Sequence, residues 1–236
     1  MTVTPPDGVA ARARFWLVLP DPNVTGTGPE PASDPEARAL FTRGLESLTA
    51  LRSVRYTQRL GDGSGSLFRS QTAVSAADAE RPTTNADTIV DATGDVIAQQ
   101  VIVGDRRWVL VGENWVSAEP IPFLAPAAWG EAYIDATGFQ LGPREEVDGE
   151  LSQVVTFWQP PRSSPSRAPA WFTWWIGLAS GEVRREVMVS TRHYMVYGYS
   201  DFDAPLGITP PVDVMAPAVI PATPASPLLA TPATSP

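Results

Sequence analysis

The run from Trp171 to Ala179, followed after Ser180-Gly181 by Val183 to Tyr199, restricts the possible fold more than any other stretch of this chain. Ser180-Gly181 is a small, φ-permissive pair of the kind that closes a hairpin, and the runs on either side alternate with the period of two that marks a strand. In the first run Phe172, Trp174, Ile176 and Leu178 point to one face, and Trp171, Thr173 and Trp175 to the other. Both faces therefore carry aromatic rings. A sheet that is apolar on two sides must be covered on both, or must hold something apolar on one.

A cover for one face is encoded upstream. Ser33-Asp34-Pro35-Glu36 offers capping side chains, a proline suited to a first helical turn, and a glutamate three residues after Ser33 as in a capping box. Ala37, Leu40, Phe41, Leu45, Leu48 and Leu51 then recur at helical spacing, which predicts an amphipathic helix over Pro35 to Leu51 with Arg38, Arg43 and Glu46 on its other side. From Ser53 the period falls to two. Strands are predicted from Val54 to Leu60, Leu67 to Ser75, Thr88 to Ala92, Val96 to Val103, Arg107 to Val111 and Trp115 to Ala118. Turns at Thr93-Gly94-Asp95, Gly104-Asp105 and Gly112-Glu113-Asn114 follow too closely for crossover helices, so the sheet is read as an antiparallel meander.

Residues 119 to 143 interrupt this pattern, with Phe123, Trp129, Tyr133 and Phe139 set among prolines and glycines; a short helix is predicted near Ala127 to Ile134. Val147 to Trp158 reads as one long strand or a strand pair, and Pro160 to Pro169 as a mobile loop. Ala11 to Leu19 is a further β-prone run. The organisation expected is a linker over 1–10, one domain over 11–211, and a Pro/Ala-rich disordered tail over 212–236.

The tryptophan-rich strand, the turn Ala179-Ser180-Gly181-Glu182-Val183-Arg184-Arg185, the second long run and the closing segment from Tyr199-Ser200-Asp201-Phe202-Asp203 to Pro211 resemble the end of the LolA/LppX/LprG-type lipoprotein and lipid carriers. The helix followed by Leu51-Arg52-Ser53-Val54-Arg55-Tyr56 is similar to their opening. The resemblance spans about residues 35 to 211, and the chain departs from it in lacking a lipobox cysteine and a signal segment. It implies an α+β, mainly antiparallel β fold: a strongly curved sheet, an incomplete barrel, wrapped around one main helix, with a short helical insertion over its open mouth. It also implies a non-enzymatic, extracytoplasmic domain that holds a lipid or acylated hydrophobic ligand between helix and concave sheet. The ligand contacts expected are Leu40, Phe41, Leu45, Leu48, Trp108, Phe123, Trp129, Phe157 and Trp174. The same side chains could simply fill a core, and the sequence leaves those two readings open.

Charge and composition narrow the alternatives. The net charge is −9 and all 17 basic residues are arginines, so the chain repels phosphate backbones and nucleic acid is not expected as a partner. Absence of lysine excludes a P-loop lysine or Schiff base, and absence of cysteine excludes thiol chemistry and zinc-thiolate sites; no cofactor is expected. Gly61, Gly63 and Gly65 form a hairpin turn rather than a nucleotide loop, because no helix follows. Glu145, Glu146, Asp148 and Glu150 read as a solvated acidic edge.

His193 is the single histidine and shares a strand face with Met195, whereas Met188 falls on the opposite face of a regular strand. A thioether beside an imidazole suits Cu(I). That supports a second reading, an accessory or sensory domain of a membrane-anchored parent such as a copper exporter. Hydrolase chemistry ranks last, since no nucleophile, base and orienter are gathered. No apolar run reaches the ~18 residues of a membrane span and no leader precedes the first strand, so the chain is expected to be the soluble part of a larger exported or membrane-anchored protein.

Overall fold

The computed structural model describes residues 32–62, 65–77, 82–163, 166–167, 169–190 and 193–215. The predicted 1–10 linker, the strand from Ala11 to Leu19 and the tail beyond 215 lie outside the described residues.

Helix α1 (Pro35–Ala50) begins at the capping signal. Of the two candidate caps Asp34 is the one used: its Oδ1 accepts from the amides of Glu36 at 2.7 Å and Ala37 at 3.3 Å. Ser33 instead accepts from the Phe139 amide and so ties the helix start to the sheet. Asp34→Ala is expected to cost about 1 kcal/mol, measured as a lower denaturant midpoint with an unchanged slope. Ala37, Phe41, Gly44 and Leu48 are the buried stripe of α1. At Gly44 the helix comes so close to the sheet that an added Cβ would lie 3.1 Å from Ile176 Cδ1 and 3.3 Å from Val183 Cγ2.

The strands are β1 (Ser53–Gly61), β2 (Ser66–Ser75), β3 (Thr84–Asp91), β4 (Val96–Val103), β5 (Arg106–Val111), β6 (Asn114–Ala118), β7 (Thr137–Val147), β8 (Glu150–Gln159), β9 (Arg162–Ser163), β10 (Ser166–Arg167), β11 (Ala170–Gly177), β12 (Val183–Ser190) and β13 (His193–Ser200). Eleven of them form one curved sheet in the order β6-β5-β4-β3-β2-β1-β13-β12-β11-β8-β7, while β9 and β10 make a separate two-stranded ribbon. Every ladder between these strands is antiparallel. The ends β6 and β7 do not join, so the sheet is an open, incomplete barrel wrapped around α1. An isolated parallel bridge from Met215 to Val116 lies on the β6 edge.

Four features differ from the sequence reading. The predicted loop from Pro160 to Pro169 carries the paired strands β9 and β10. Val183 to Tyr199 is two strands, because the chain reverses between Ser190 and His193, which face each other in register. Neither Thr191 nor Arg192 is a residue type that announces a turn. Residues 137–143, read as irregular, belong to β7, whose register shifts twice and whose Gly138 has φ +64°. Strand β3 starts four residues before the predicted Thr88, since its Asp87 is satisfied by the Thr72 hydroxyl at 2.8 Å on the neighbouring strand.

The core lies between α1 and the concave face. Phe41 meets Phe139 at 4.7 Å, Phe157 at 4.8 Å and Trp174 at 5.0 Å between ring centroids. On the convex face Trp175 packs with Val147 and Val154, lies under the Arg185 guanidinium and donates its indole N–H to Glu145 at 2.8 Å. Both aromatic faces of β11 are thereby covered.

Candidate ligand-binding site

The concave face continues past α1 as two cross-strand rows. Trp174, Glu186, Tyr197 and Gln58 lie side by side across β11, β12, β13 and β1, and Phe172, Met188, Met195 and Leu60 form the next row. Above them runs the interrupted segment, which folds into α2 (Pro126–Trp129) and a 3-10 turn over Gly130–Tyr133. Proline at its start, small residues within and the Trp129 indole bonded to the Leu124 carbonyl at 2.9 Å keep this segment compact.

Between segment and sheet is a hollow of about 100 Å³. Its floor is Tyr56, Phe172, Glu186, Met188, Met195, Tyr197 and Tyr199, all buried. Trp129 and Tyr133 form its roof, and Leu124 and Glu131 stand exposed at its rim. Leu124 is 46% exposed, an apolar side chain left at the entrance.

Glu186 is the one acid on that floor, and it is 2% exposed. It points inward because β12 carries an extra residue: Trp175 faces Arg185 but Ile176 faces Val183, so both Val183 and Glu186 turn to the core. Its Oε2 accepts from the Tyr133 hydroxyl and the Trp174 indole, each at 2.7 Å. Burial is the main influence on this carboxyl and pushes it up to about 7, against the two hydrogen bonds that favour the ionised form. Among the described residues no arginine forms an ion pair with it. Burial and the nearby Glu186 raise the Tyr133, Tyr197 and Tyr199 phenols well above their ordinary value.

No protein-family model matches the sequence, and no curated protein does. Solved structures do match in shape. The structure of LprF from Mycobacterium bovis superposes with a TM-score of 0.62 at 16% identity, over 77% of this chain and 99% of that one. The Mycobacterium tuberculosis lipoprotein LppX superposes with a TM-score of 0.56 at 17% identity, over 75% of this chain and 100% of that one. The chain has the LppX/LprF fold. The expected architecture, a mainly antiparallel incomplete barrel around one helix, is the one found.

Within this LppX-like fold the residues picked out from sequence fall into three places. Phe41 and Leu48 of α1 are packed with Phe157 and Trp174 of the sheet in one core, with Leu40, Leu45 and Phe123 partly buried against it. Trp129 is part of the roof of the hollow, 5.7 Å from Tyr56 between ring centroids. Trp108 lies on β5, outside that core, with Arg106 over its ring. Sequence reasoning did not single out Tyr56, Glu186, Tyr197 or Tyr199 as lining residues. Alternation of Tyr197 and Tyr199 along β13 was a usable signal; the inward turn of Glu186 was not, because the extra residue reverses the parity.

The other candidates are accounted for differently. The hairpin after Ser190 brings Met188 opposite Met195, which a regular strand would have separated. The Met195 sulfur accepts from Gln58 Nε2 at 3.0 Å and the Tyr197 hydroxyl at 3.3 Å, and among the described residues no group of three His, Cys, Asp or Glu side chains could hold a metal. The acidic cluster is not simply a solvated edge. Glu150 forms an ion pair with Arg184 at 2.8 Å and accepts from the amides of Ala179 and Ser180, and Glu145 holds Trp175, while Glu146 and Asp148 are exposed. Among the described residues no helix is long and apolar enough to cross a membrane.

Proposed function

We propose that this chain is a non-enzymatic binding domain that works outside the cytoplasm and holds a lipid or acylated hydrophobic molecule, one end of which enters the hollow under α2. The observation that carries this reading is an aromatic and thioether-lined hollow on the concave face of an LppX-like sheet, with an exposed leucine at its mouth. An apolar cavity of about 150 Å³ is known to hold benzene, so about 100 Å³ admits the end of a chain rather than a whole lipid. A buried four-carbon end contributes about 3 kcal/mol, roughly a hundredfold in affinity. Trp129 contacts the ligand, and Phe41, Leu48, Phe157 and Trp174 are the packed wall behind it. Leu40, Leu45 and Phe123 flank that wall.

Titration with an uncharged fluorescent polyene alcohol, together with mass spectrometry of gently extracted protein, tests this. Saturable binding is expected. Ala128→Trp, which fills the hollow from a half-buried position in its lining, is expected to weaken it at least tenfold, with little change in melting temperature. No co-purified lipid and no saturable binding, or binding indifferent to Ala128→Trp, would sink the reading.

A further inference from the structure

The hollow is chemically one-sided. Glu186 sits in its floor and Glu131 at its rim, while the covering stretch from Glu119 to Pro143 contains three acids, Glu119, Glu131 and Asp135, and no Arg, Lys or His. None of its lining residues is basic. Six of them, Tyr56, Trp129, Tyr133, Phe172, Tyr197 and Tyr199, present aromatic rings. A buried carboxyl with no cation beside it is costly, whereas the same carboxyl surrounded by rings is a receptor for a positive charge. Among the described residues that line the hollow, a fatty-acid carboxylate or a phosphate would meet like charge and no cation. From the buried Glu186, the ring-lined wall and the absence of a basic residue from the lining, we infer that the apolar ligand of this hollow ends in an alkylammonium group, with Glu186 as its counter-ion. This rests on the apolar-ligand reading and goes beyond it by naming the head group.

Anchoring the roof is the competing role for Glu186, since it bonds both Tyr133 and Trp174 through one oxygen. Glu186→Gln separates the two, because the amide oxygen still accepts from Tyr133 and Trp174 but carries no charge. Octylamine, octanol and octanoate differ only in the head group and serve as probes, followed by the quenching of tryptophan fluorescence at pH 8.

Octylamine is expected to bind wild-type protein at least tenfold more tightly than octanol, and octanoate more weakly than either. In Glu186→Gln the preference for the amine over the alcohol should disappear. Amine affinity should also rise with pH, up to about tenfold per unit until Glu186 is ionised, because the carboxyl gives up a proton to solvent as the ammonium enters. The other ionisable groups facing Glu186 are Tyr133 from the roof, Tyr197 and Tyr199 from β13, Tyr56 from β1 and Glu131 at the rim; the buried stripe of α1, Ala37, Phe41, Gly44 and Leu48, has none. The four phenols are all pushed above their ordinary value, away from this range.

Equal affinity for amine and alcohol, a preference for octanoate, or an unchanged preference in Glu186→Gln overturns the head-group inference while leaving apolar binding intact. Failure of all three probes overturns both. Should Glu186→Gln not fold, the wild-type series alone decides.

Discussion

Trp174→Ala is expected to remove about 3 to 5 kcal/mol of stability, a large part of the 5 to 15 kcal/mol typical of a whole domain. Trp174 is fully buried and joins the two parts of the interior. On one side it stacks on Phe41 of α1 at 5.0 Å, and on the other it meets Tyr133 of the roof at 4.9 Å and Phe157 at 5.2 Å. Its indole N–H also bonds Glu186 at 2.7 Å. Truncation leaves a cavity among rings that are fixed by the sheet, and it leaves a buried carboxyl short of a donor. In a chain of this size the loss corresponds to a fall in melting temperature on the order of 10 °C. Trp174→Phe keeps a ring without the N–H and is expected to lose about half as much. A loss under about 1 kcal/mol for the alanine variant would show that α1 and the roof do not depend on this side chain.

Elements whose residues signal locally were legible in the sequence. Asp34, Pro35 and the Phe41/Leu48 stripe fixed α1, because capping and a 3.6-residue period are properties of neighbours in the chain. Alternation of large residues on both faces of β11 showed that both sides had to be covered, as they are by Phe41 and by the Val147/Val154/Arg185 group. The closing Tyr199-Ser200-Asp201-Phe202-Asp203 also has a physical reading: Asp201 pairs with Arg55 at 2.8 Å, and Asp203 accepts from the Arg52 amide at 2.7 Å just after α1. Phe202 lies against the core with Arg184 over its ring. What stayed hidden depends on events between strands. One extra residue in β12 turns Glu186 inward, and the antiparallel pairing of β12 with β13 brings Met188 to Met195. Period counting along one strand cannot find either. The site therefore emerged only in part: Trp129 was picked out as an aromatic in an interrupted segment, but its partners Tyr56, Tyr199 and Glu186 come from three separate strands.

Folding stability is expected to peak in mildly acid solution, at about pH 5, because buried and half-buried carboxyls titrate in opposite directions on folding, Glu186 and Asp87 one way and Glu150 the other. Glu186 is raised by burial from an ordinary 4.5 to about 7, so the folded state holds its proton more tightly than the unfolded chain. Its favourable contribution is complete below 4.5 and is lost as the pH rises through 7, a change of about 3 kcal/mol. Glu150 goes the other way. Desolvation opposes ionisation there, but the Ser180 amide and hydroxyl and the Arg184 guanidinium outweigh it and hold the carboxyl at about 2. That contribution is present above 4.5 and lost as the pH falls toward 2, and near the surface it is worth about 1 kcal/mol after screening. Denaturant melts from pH 3 to pH 8 on wild type, Glu186→Gln and Glu150→Gln separate the two limbs. Glu186→Gln should make the alkaline limb shallower, leaving the part due to Asp87, and be the more stable protein at pH 8, whereas Glu150→Gln should change only the acid limb. A wild-type curve that is level from pH 5 to pH 8 would mean that Glu186 is solvated in the native state. The alkaline limb also bears on the ligand, because an ammonium group bound at Glu186 would neutralise the charge that costs stability there. At pH 8 octylamine should then protect wild type against unfolding more than octanol does, and protect Glu186→Gln no better than octanol does, so that stability and recognition respond to one carboxyl.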